Sequence, residues 1–220
     1  MYRYFIQPQL NQDTRSLIGY EMLIRKYEDD RWILPQHFAT IPVTIQTRLL
    51  AQVAQQLALK IGSVSFNLNR TQFVNAEMAA ALIQVQHAIY PVTLVVEVTE
   101  EPGDQDVSLS QLQEQITAFA AHGIQFSMDD VSTGDNRYAQ IKSLLPLASE
   151  LKFAMQNFRT EQRAKEIQPA LQFWRQVAEQ YNLRLIVEGI ENADDEQLLD
   201  QLELPFRQGY YYGRPHLFDY

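Results

Sequence analysis

The sequence predicts an α/β fold closed into a (β/α) barrel with an antiparallel first strand, and three observations lead to it. Apolar strand-like runs alternate with amphipathic helical stretches along nearly the whole chain, with no linker-like segment between them. The runs lack strict polar alternation, as strands covered on both faces do. No Gly-rich GxGxxG loop follows the first strand, which weakens the open doubly wound sheet that the same alternation would permit. At 220 residues the chain is near the lower size limit of such a barrel, and one domain over residues 1–220 is expected.

The elements follow in order. RYFIQPQ and LIGYEMLI are joined by the turn-rich NQDTRS with no helix between them, so they pair as an antiparallel hairpin. From Val43 to Ile61, the residues Ile45, Leu49, Val53 and Leu57 recur at i+4 and give a helix one apolar face. SVSFNLN then reads as a strand. A helix over residues 72–88 precedes the apolar run VTLVVEV at 92–98. SLSQLQEQITAFAAHG predicts a helix closed by Gly123, and the strand IQFSMD follows. A short helix around YAQIKSLL leads to the strand ELKFA, and a long helix within residues 161–181 leads to LRLIVEG. ADDEQLLDQL has an acidic first turn that suits the positive end of a helix dipole, and it precedes the strand-like FRQGYYYG.

Composition narrows the functions. The net charge of -9 repels polyanions and argues against a nucleic-acid duplex as partner, so an anionic substrate would need local cations. There are no cysteines, which excludes disulfides, thiolate zinc sites and cysteine nucleophiles. The start MYRYFIQPQLNQD lacks the apolar core of a signal peptide, and no run approaches the roughly 20 apolar residues of a membrane span. A cytoplasmic protein without a membrane partner is expected.

Polar residues recur where the strands finish: Glu21, Asn67, Glu97, Asp129 with Asp130, Lys152, Glu188 and Gln208. In a barrel those ends converge on the rim that carries the catalytic residues. Side-chain parity puts Ser65 with Asn67, and Ser127 with Asp129, on one face, leaving Phe66, Phe126 and Met128 toward the helices. Helix capping or a solvated loop would explain any one acid. It does not explain Glu97 and Glu188, which lie inside apolar strands. Five carboxylates and an amide oxygen form a hard oxygen-ligand set that suits Mg2+ or Mn2+ rather than zinc. That many acids exceed the needs of one ion, and two ions bridged by a carboxylate would activate water for in-line attack at phosphorus. Lys152 is then either a partner of the attacking water or a solvent-facing strand lysine, and Arg25 either a phosphate clamp or half of a surface salt bridge. His37, His87, His122 and His216 show no metal-ligand spacing and read as surface or helix-end residues, and no GxSxG elbow is present. The tyrosines of GYYYGRP either stack a base or join the core.

The residues now match a family. FIQPQ around Gln7; EMLIR with Glu21, Leu23 and Arg25; FNLN at Asn67; Glu97 through Glu100; Asp129 with Asp130; Lys152; EGIE from Glu188 to Glu191; and QGYYYGRP from Gln208 through Pro215 together resemble the EAL domain of cyclic-di-GMP phosphodiesterases. The resemblance implies a TIM-like barrel and a homodimer, with Mg2+- or Mn2+-dependent hydrolysis of cyclic di-GMP to the linear dinucleotide pGpG. It implies metal binding by Glu21, Asn67, Glu97, Asp129, Asp130 and Glu188, and catalytic roles for Glu21, Lys152, Glu188 and Gln208. Substrate would be held by Gln7, Leu23, Arg25, Gln208 and Pro215, with Glu100 and Glu191 supporting loops. Two departures stand out. The family's DDFGTG is here DDVSTG, with Val131 for an aromatic and Ser132 for a glycine; Ala154 replaces the acid of the family's KID. If the Ser132 position needs positive φ, serine there costs on the order of 1 kcal/mol. A degenerate EAL domain acting as a cyclic-di-GMP receptor or protein-interaction module is the alternative, and a divalent-metal barrel for another phosphoester a third. No sensor or cyclase segment is recognisable, so regulation would need a protein partner, another chain or a longer parent.

Overall fold

The computed structural model describes residues 1–99 and 106–218. Its strands are β1 (Tyr2–Asn11), β2 (Ser16–Glu28), β3 (Arg31–Ile33), β4 (Ser63–Leu68), β5 (Thr93–Val98), β6 (Gln125–Met128), β7 (Glu150–Ala154), β8 (Arg184–Glu188), β9 (Phe206–Arg207) and β10 (His216–Leu217). The helices are α1 (Val43–Leu57), α2 (Arg70–Phe73), α3 (Ala76–Ile89), α4 (Leu109–Ala120), α5 (Tyr138–Ile141), α6 (Met155–Thr160), α7 (Ile167–Tyr181) and α8 (Ala193–Gln201).

Strands β4 to β9 run parallel in sequence order, β2 pairs parallel with β4, and β1 closes the ring by pairing antiparallel with both β2 and β9. The result is a closed eight-stranded barrel whose first strand is reversed, as the sequence predicts. β3 and β10 lie outside the ring on β2 and β1, and the sequence reading did not include them.

Helix boundaries follow their caps. Asn75 accepts the Met78 N–H and starts α3, while Asn69 and Gln72 cap α2 reciprocally, so the expected helix over 72–88 is two helices divided at Val74. Ser108 and Gln111 form the same box on α4. α7 stops at Asn182, whose left-handed φ of 55° suits a residue that tolerates that region. Along FRQGYYYG the strand ends at Arg207, and the tyrosines form a turn.

Period-2 parity divides each central strand between two environments. Val96, Phe126, Leu151, Phe153 and Val187 point outward and join the apolar layer under the helices, where each buried side chain contributes about 1.5–3 kcal/mol. The alternate residues Ser65, Glu97, Ser127, Glu150, Lys152 and Glu188 point into the barrel and are all buried. The barrel interior therefore carries buried polar groups beside apolar ones such as Val95 and Ile186, and the main apolar core is the annulus around it.

Candidate functional site

The site sits at the C-terminal rim, where strand register sets its rows. Glu21 lies opposite Gln7 across the β1–β2 pair, and Asn67 lies beside Glu97 across β4–β5. Asp129 follows the last residue of β6, and Glu188 ends β8 beside Ala154. Lys152 is the hub. Its ammonium is 2.6 Å from Glu188 Oε1, 2.7 Å from Glu97 Oε2, 3.5 Å from Glu21 Oε2 and 3.7 Å from Asp129 Oδ1. With 1% exposure, Lys152 is not the solvent-facing lysine that the sequence left open.

Hydrogen bonds orient the acids. Asn67 Nδ2 donates to Glu21 Oε1 at 2.7 Å, and Gln208 Nε2 donates to Glu21 Oε2 at 2.5 Å and to Gln7 Oε1 at 3.2 Å. Gln7 Nε2 in turn donates to the Gly213 carbonyl at 3.1 Å, tying the barrel's first strand to the QGYYYG turn. The Asp130 N–H donates to Asp129 Oδ1 at 3.0 Å.

One ammonium faces four carboxylates, and proton affinities register the imbalance. Burial pushes the Glu97 carboxyl well above its ordinary range, raises Asp129, and takes Glu188 to about 8. Burial opposes the ionised Glu21, yet Lys152 and the Asn67 and Gln208 amides outweigh it and lower its pKa. Burial likewise opposes the Lys152 cation, but Glu188, Glu21, Glu97 and Asp129 hold it protonated. Lys152 is thus a fixed positive charge and hydrogen-bond donor, unable to act as a base near neutral pH.

The donor set fits a hard divalent cation. Carboxylate oxygens of Asp129, Asp130 and Glu188 lie within 4.8 Å of one another. Asn67 Oδ1 and Glu97 Oε1 are buried and accept no hydrogen bond among the described residues, so each has a lone pair available to a ligand. Oxygen-only donors suit Mg2+ or Mn2+.

Two neighbouring cavities open beside the acids. One of about 390 Å3 lies between Gln7, Arg25, Glu188, Gln208, Tyr210 and Pro215. The other, about 720 Å3, runs under the segment after β3 past Leu34, His37, Phe38 and Gln72. Leu23, Arg25, Asp129 and Asp130 border both. Arg25 Nη1 donates to the Ile24 carbonyl at 3.1 Å, and its guanidinium lies 5.9 Å from the Phe5 ring centre. Tyr210 is half exposed, with Arg214 over its ring at 4.2 Å, so this tyrosine is not core. The four histidines are exposed; His87 and His122 face each other at 5.4 Å.

Several supporting residues escaped the sequence reading. In the turn after β8, Asp195 accepts the Glu191 N–H at 2.9 Å and Arg159 Nη2 at 2.5 Å, while Arg159 Nη1 donates to the Gly189 carbonyl at 2.8 Å. The buried carboxylate holding this turn is that of Asp195, whereas Glu191 is exposed. Gly189 has φ +73°, and a Cβ there would crowd the Gln156 backbone nitrogen at 2.9 Å, so glycine is favoured. In the loop after β6, buried Asn136 donates to the Asp129 carbonyl at 2.5 Å and the Val98 carbonyl at 3.1 Å, and Arg70 Nη2 donates to Asn136 Oδ1 at 3.2 Å. Val131 is buried and donates its N–H to the Lys152 carbonyl at 3.0 Å. Ser132 takes φ +84°. Glu100 falls outside the described residues.

Fold and rim together define a (β/α) barrel with a buried acidic mouth whose oxygen donors fit a divalent cation. The comparisons make the assignment specific: the EAL domain family model matches residues 2–215, and the chain belongs to the EAL domain family. The chain is 27% identical over 236 residues to the bifunctional diguanylate cyclase/cyclic di-GMP phosphodiesterase MucR of Pseudomonas aeruginosa, covering 95% of this chain and 32% of MucR. It is 26% identical to the cyclic di-GMP phosphodiesterase RocR of the same organism, covering 98% of this chain and 59% of RocR. The chain thus spans about a third of MucR and somewhat over half of RocR. Among solved structures, the MucR phosphodiesterase in complex with c-di-GMP aligns with TM-score 0.79 at 22% identity, covering 97% of this chain and 91% of that one. The Bacillus subtilis YkuI protein with an EAL domain, in complex with c-di-GMP and calcium, aligns with TM-score 0.79 at 17% identity, covering all of this chain and 57% of YkuI.

Proposed function

We propose that the chain, as one domain over residues 1–220, hydrolyses cyclic di-GMP to pGpG with two Mg2+ or Mn2+ ions. The observation that carries this reading is the convergence of Glu21, Asn67, Glu97, Asp129, Asp130 and Glu188 around Lys152 at one rim. These six residues would hold the ions. Bound there, divalent cations supply charge neutralisation and a water of lowered pKa as nucleophile.

The chain's own groups do the rest. Lys152, fixed as a cation, donates a hydrogen bond toward the attacking water and counters charge as the phosphorus becomes pentacoordinate. Gln208 and Asn67 hold the Glu21 carboxylate ionised and oriented. Arg25, bordering both cavities, clamps the scissile phosphodiester, and Gln7, Leu23 and Pro215 shape the substrate's seat. Two cavities that share Leu23, Arg25, Asp129 and Asp130 suit a ligand with two bases on one phosphate ring. The similarity to the cyclic di-GMP phosphodiesterases MucR and RocR supports the substrate. A second copy of the chain and a regulatory protein are the partners we expect, in a cytoplasmic setting. Among the described residues no helix is long and apolar enough to cross a membrane.

The Ser132 departure favours a second reading, a receptor that binds cyclic di-GMP without cleaving it. The test is turnover by the purified chain with Mg2+ or Mn2+, with Glu21→Ala as control. Metal-dependent pGpG formation that Glu21→Ala abolishes supports the enzyme. Binding of cyclic di-GMP with no metal-dependent product replaces it with the receptor.

A further inference from the structure

We propose that Trp174 is a positioning residue for the aspartate pair, acting through the hydrogen bond that its indole makes to Ser132; the proposal rests on the metal-site reading above. The loop after β6 is tightly wound, with φ of +48° at Asp130, +84° at Ser132 and +43° at Gly134. Residues other than glycine visit that region sparingly, so Asp130 and Ser132 persist there only because neighbours hold them. Asn136 grips the loop from the barrel side through the Asp129 and Val98 carbonyls, and its own carbonyl accepts the Ser132 N–H at 3.1 Å.

The outer side is held by a different group. Trp174 on α7 is 1% exposed, and its Nε1–H donates to Ser132 Oγ at 2.5 Å. A buried indole N–H needs an acceptor, and the serine hydroxyl supplies one that glycine at this position would lack. The indole is itself fixed edge-on by Tyr138 at 6.2 Å and Phe173 at 5.3 Å. The chain from α7 through Ser132 to Asp130 is therefore continuous. Asn136 holds Asp129 from the barrel side and Thr133 Oγ1 donates to the Asp130 carbonyl at 2.6 Å, so loss of the indole bond releases the outer side of the turn that carries Asp130.

The experiment measures Mn2+ binding to the full chain by electron paramagnetic resonance of the free ion, for wild type, Trp174→Phe, Ser132→Ala and the double variant. Unfolding temperature in EDTA is recorded in parallel. Each single variant is expected to weaken Mn2+ binding about five- to tenfold, the range that loss of one hydrogen bond allows, and the double no further than either single. In a Trp32→Phe background, saturating Mg2+ is expected to shift Trp174 emission, and Ser132→Ala to abolish the shift. Singles that bind Mn2+ like wild type, whatever their unfolding temperature, overturn the proposal, as does a double in which the losses multiply. If Trp174→Phe fails to fold, Ser132→Ala at its half-buried position decides by the same criteria. A wild type that binds no Mn2+ overturns the metal-site reading and this proposal with it, whereas a wild type that binds alongside unaffected variants overturns this proposal alone.

Discussion

The two ends of the barrel interior hold buried charge in opposite ways. At the N-terminal end, Arg184 Nε donates to Glu150 Oε2 at 3.1 Å and Nη2 to Gln125 Oε1 at 2.7 Å, one cation for one buried carboxylate, although burial raises the Glu150 pKa here too. At the C-terminal rim one ammonium is shared by four carboxylates, with Asp130 beside them, and three of the four have raised pKa values. A buried ion pair whose charges balance can be explained by the fold alone. Excess negative charge in a dry site is unfavourable for folding and persists where a ligand completes it.

Substitutions should separate the two ends. Glu21→Ala is expected to reduce cyclic di-GMP turnover by about a hundredfold or more, beyond the usual effect of disturbing a group behind a metal ligand. Glu150→Gln should leave turnover within about threefold and lower stability by about 1–2 kcal/mol, since Arg184 stays partly solvated. Initial rates and chemical denaturation of both variants check this. An equal loss of turnover from the two substitutions would erase the distinction between the ends.

Lys152→Met removes the ammonium that four rim carboxylates share. In EDTA at pH 8 it should destabilise the protein by about 3–5 kcal/mol, and less at pH 5, where the carboxyls can take up protons. Saturating Mg2+ should recover part of the loss, which denaturation curves with and without the ion will show.

The metal-free protein should also lose stability as pH rises. The Glu188 pKa is raised from 4.5 to about 8, so its protonated form favours the folded state; that contribution is complete below 4.5 and lost as pH climbs through about 8. Glu97 and Asp129 act in the same direction. Glu21, with a lowered pKa, loses its contribution only at acid pH below this window, and Lys152 retains its own until above 10.5. Divalent cations should flatten or reverse the slope, because the ionised carboxylates bind them. Denaturation at pH 5, 6.5 and 8, with EDTA or Mg2+, measures both slopes.

The smallest effect sharpens the view of one loop. Ser132→Gly removes backbone strain on the order of 1 kcal/mol but leaves the Trp174 N–H without its acceptor, at about 1–3 kcal/mol. The single variant should therefore be no more stable than wild type, while Ser132→Gly combined with Trp174→Phe should be more stable than Trp174→Phe alone. Thermal unfolding of the three variants in EDTA tests this.

The parts legible in the sequence are those set by local periodicity. Buried parallel strands need continuous apolar runs, so Glu97 within VTLVVEV and Glu188 within LRLIVEG are conspicuous, and period 2 alone places Asn67 and Asp129 on the inner face. The hairpin NQDTRS was equally plain. The division of the helix over 72–88 had a signal that periodicity masked: Asn69 three residues before Gln72, and Asn75 before a second apolar run, are capping positions. Asp195, Arg159, Asn136 and Arg70 act between elements far apart in sequence, and their spacing encodes nothing of the partner. Trp174 lies in an apolar helical stripe and reads as core; only the need of a buried indole N–H for an acceptor distinguishes it.

The central claim is that the charge excess at the rim is a metal site. Equilibrium titration of the apo chain with Mn2+ at pH 8, counting ions bound per chain, tests it most directly. Two bound ions, reduced by Asp129→Asn and unchanged by Glu150→Gln, are expected. Absence of Mn2+ binding, or binding that Asp129→Asn leaves untouched, would contradict it.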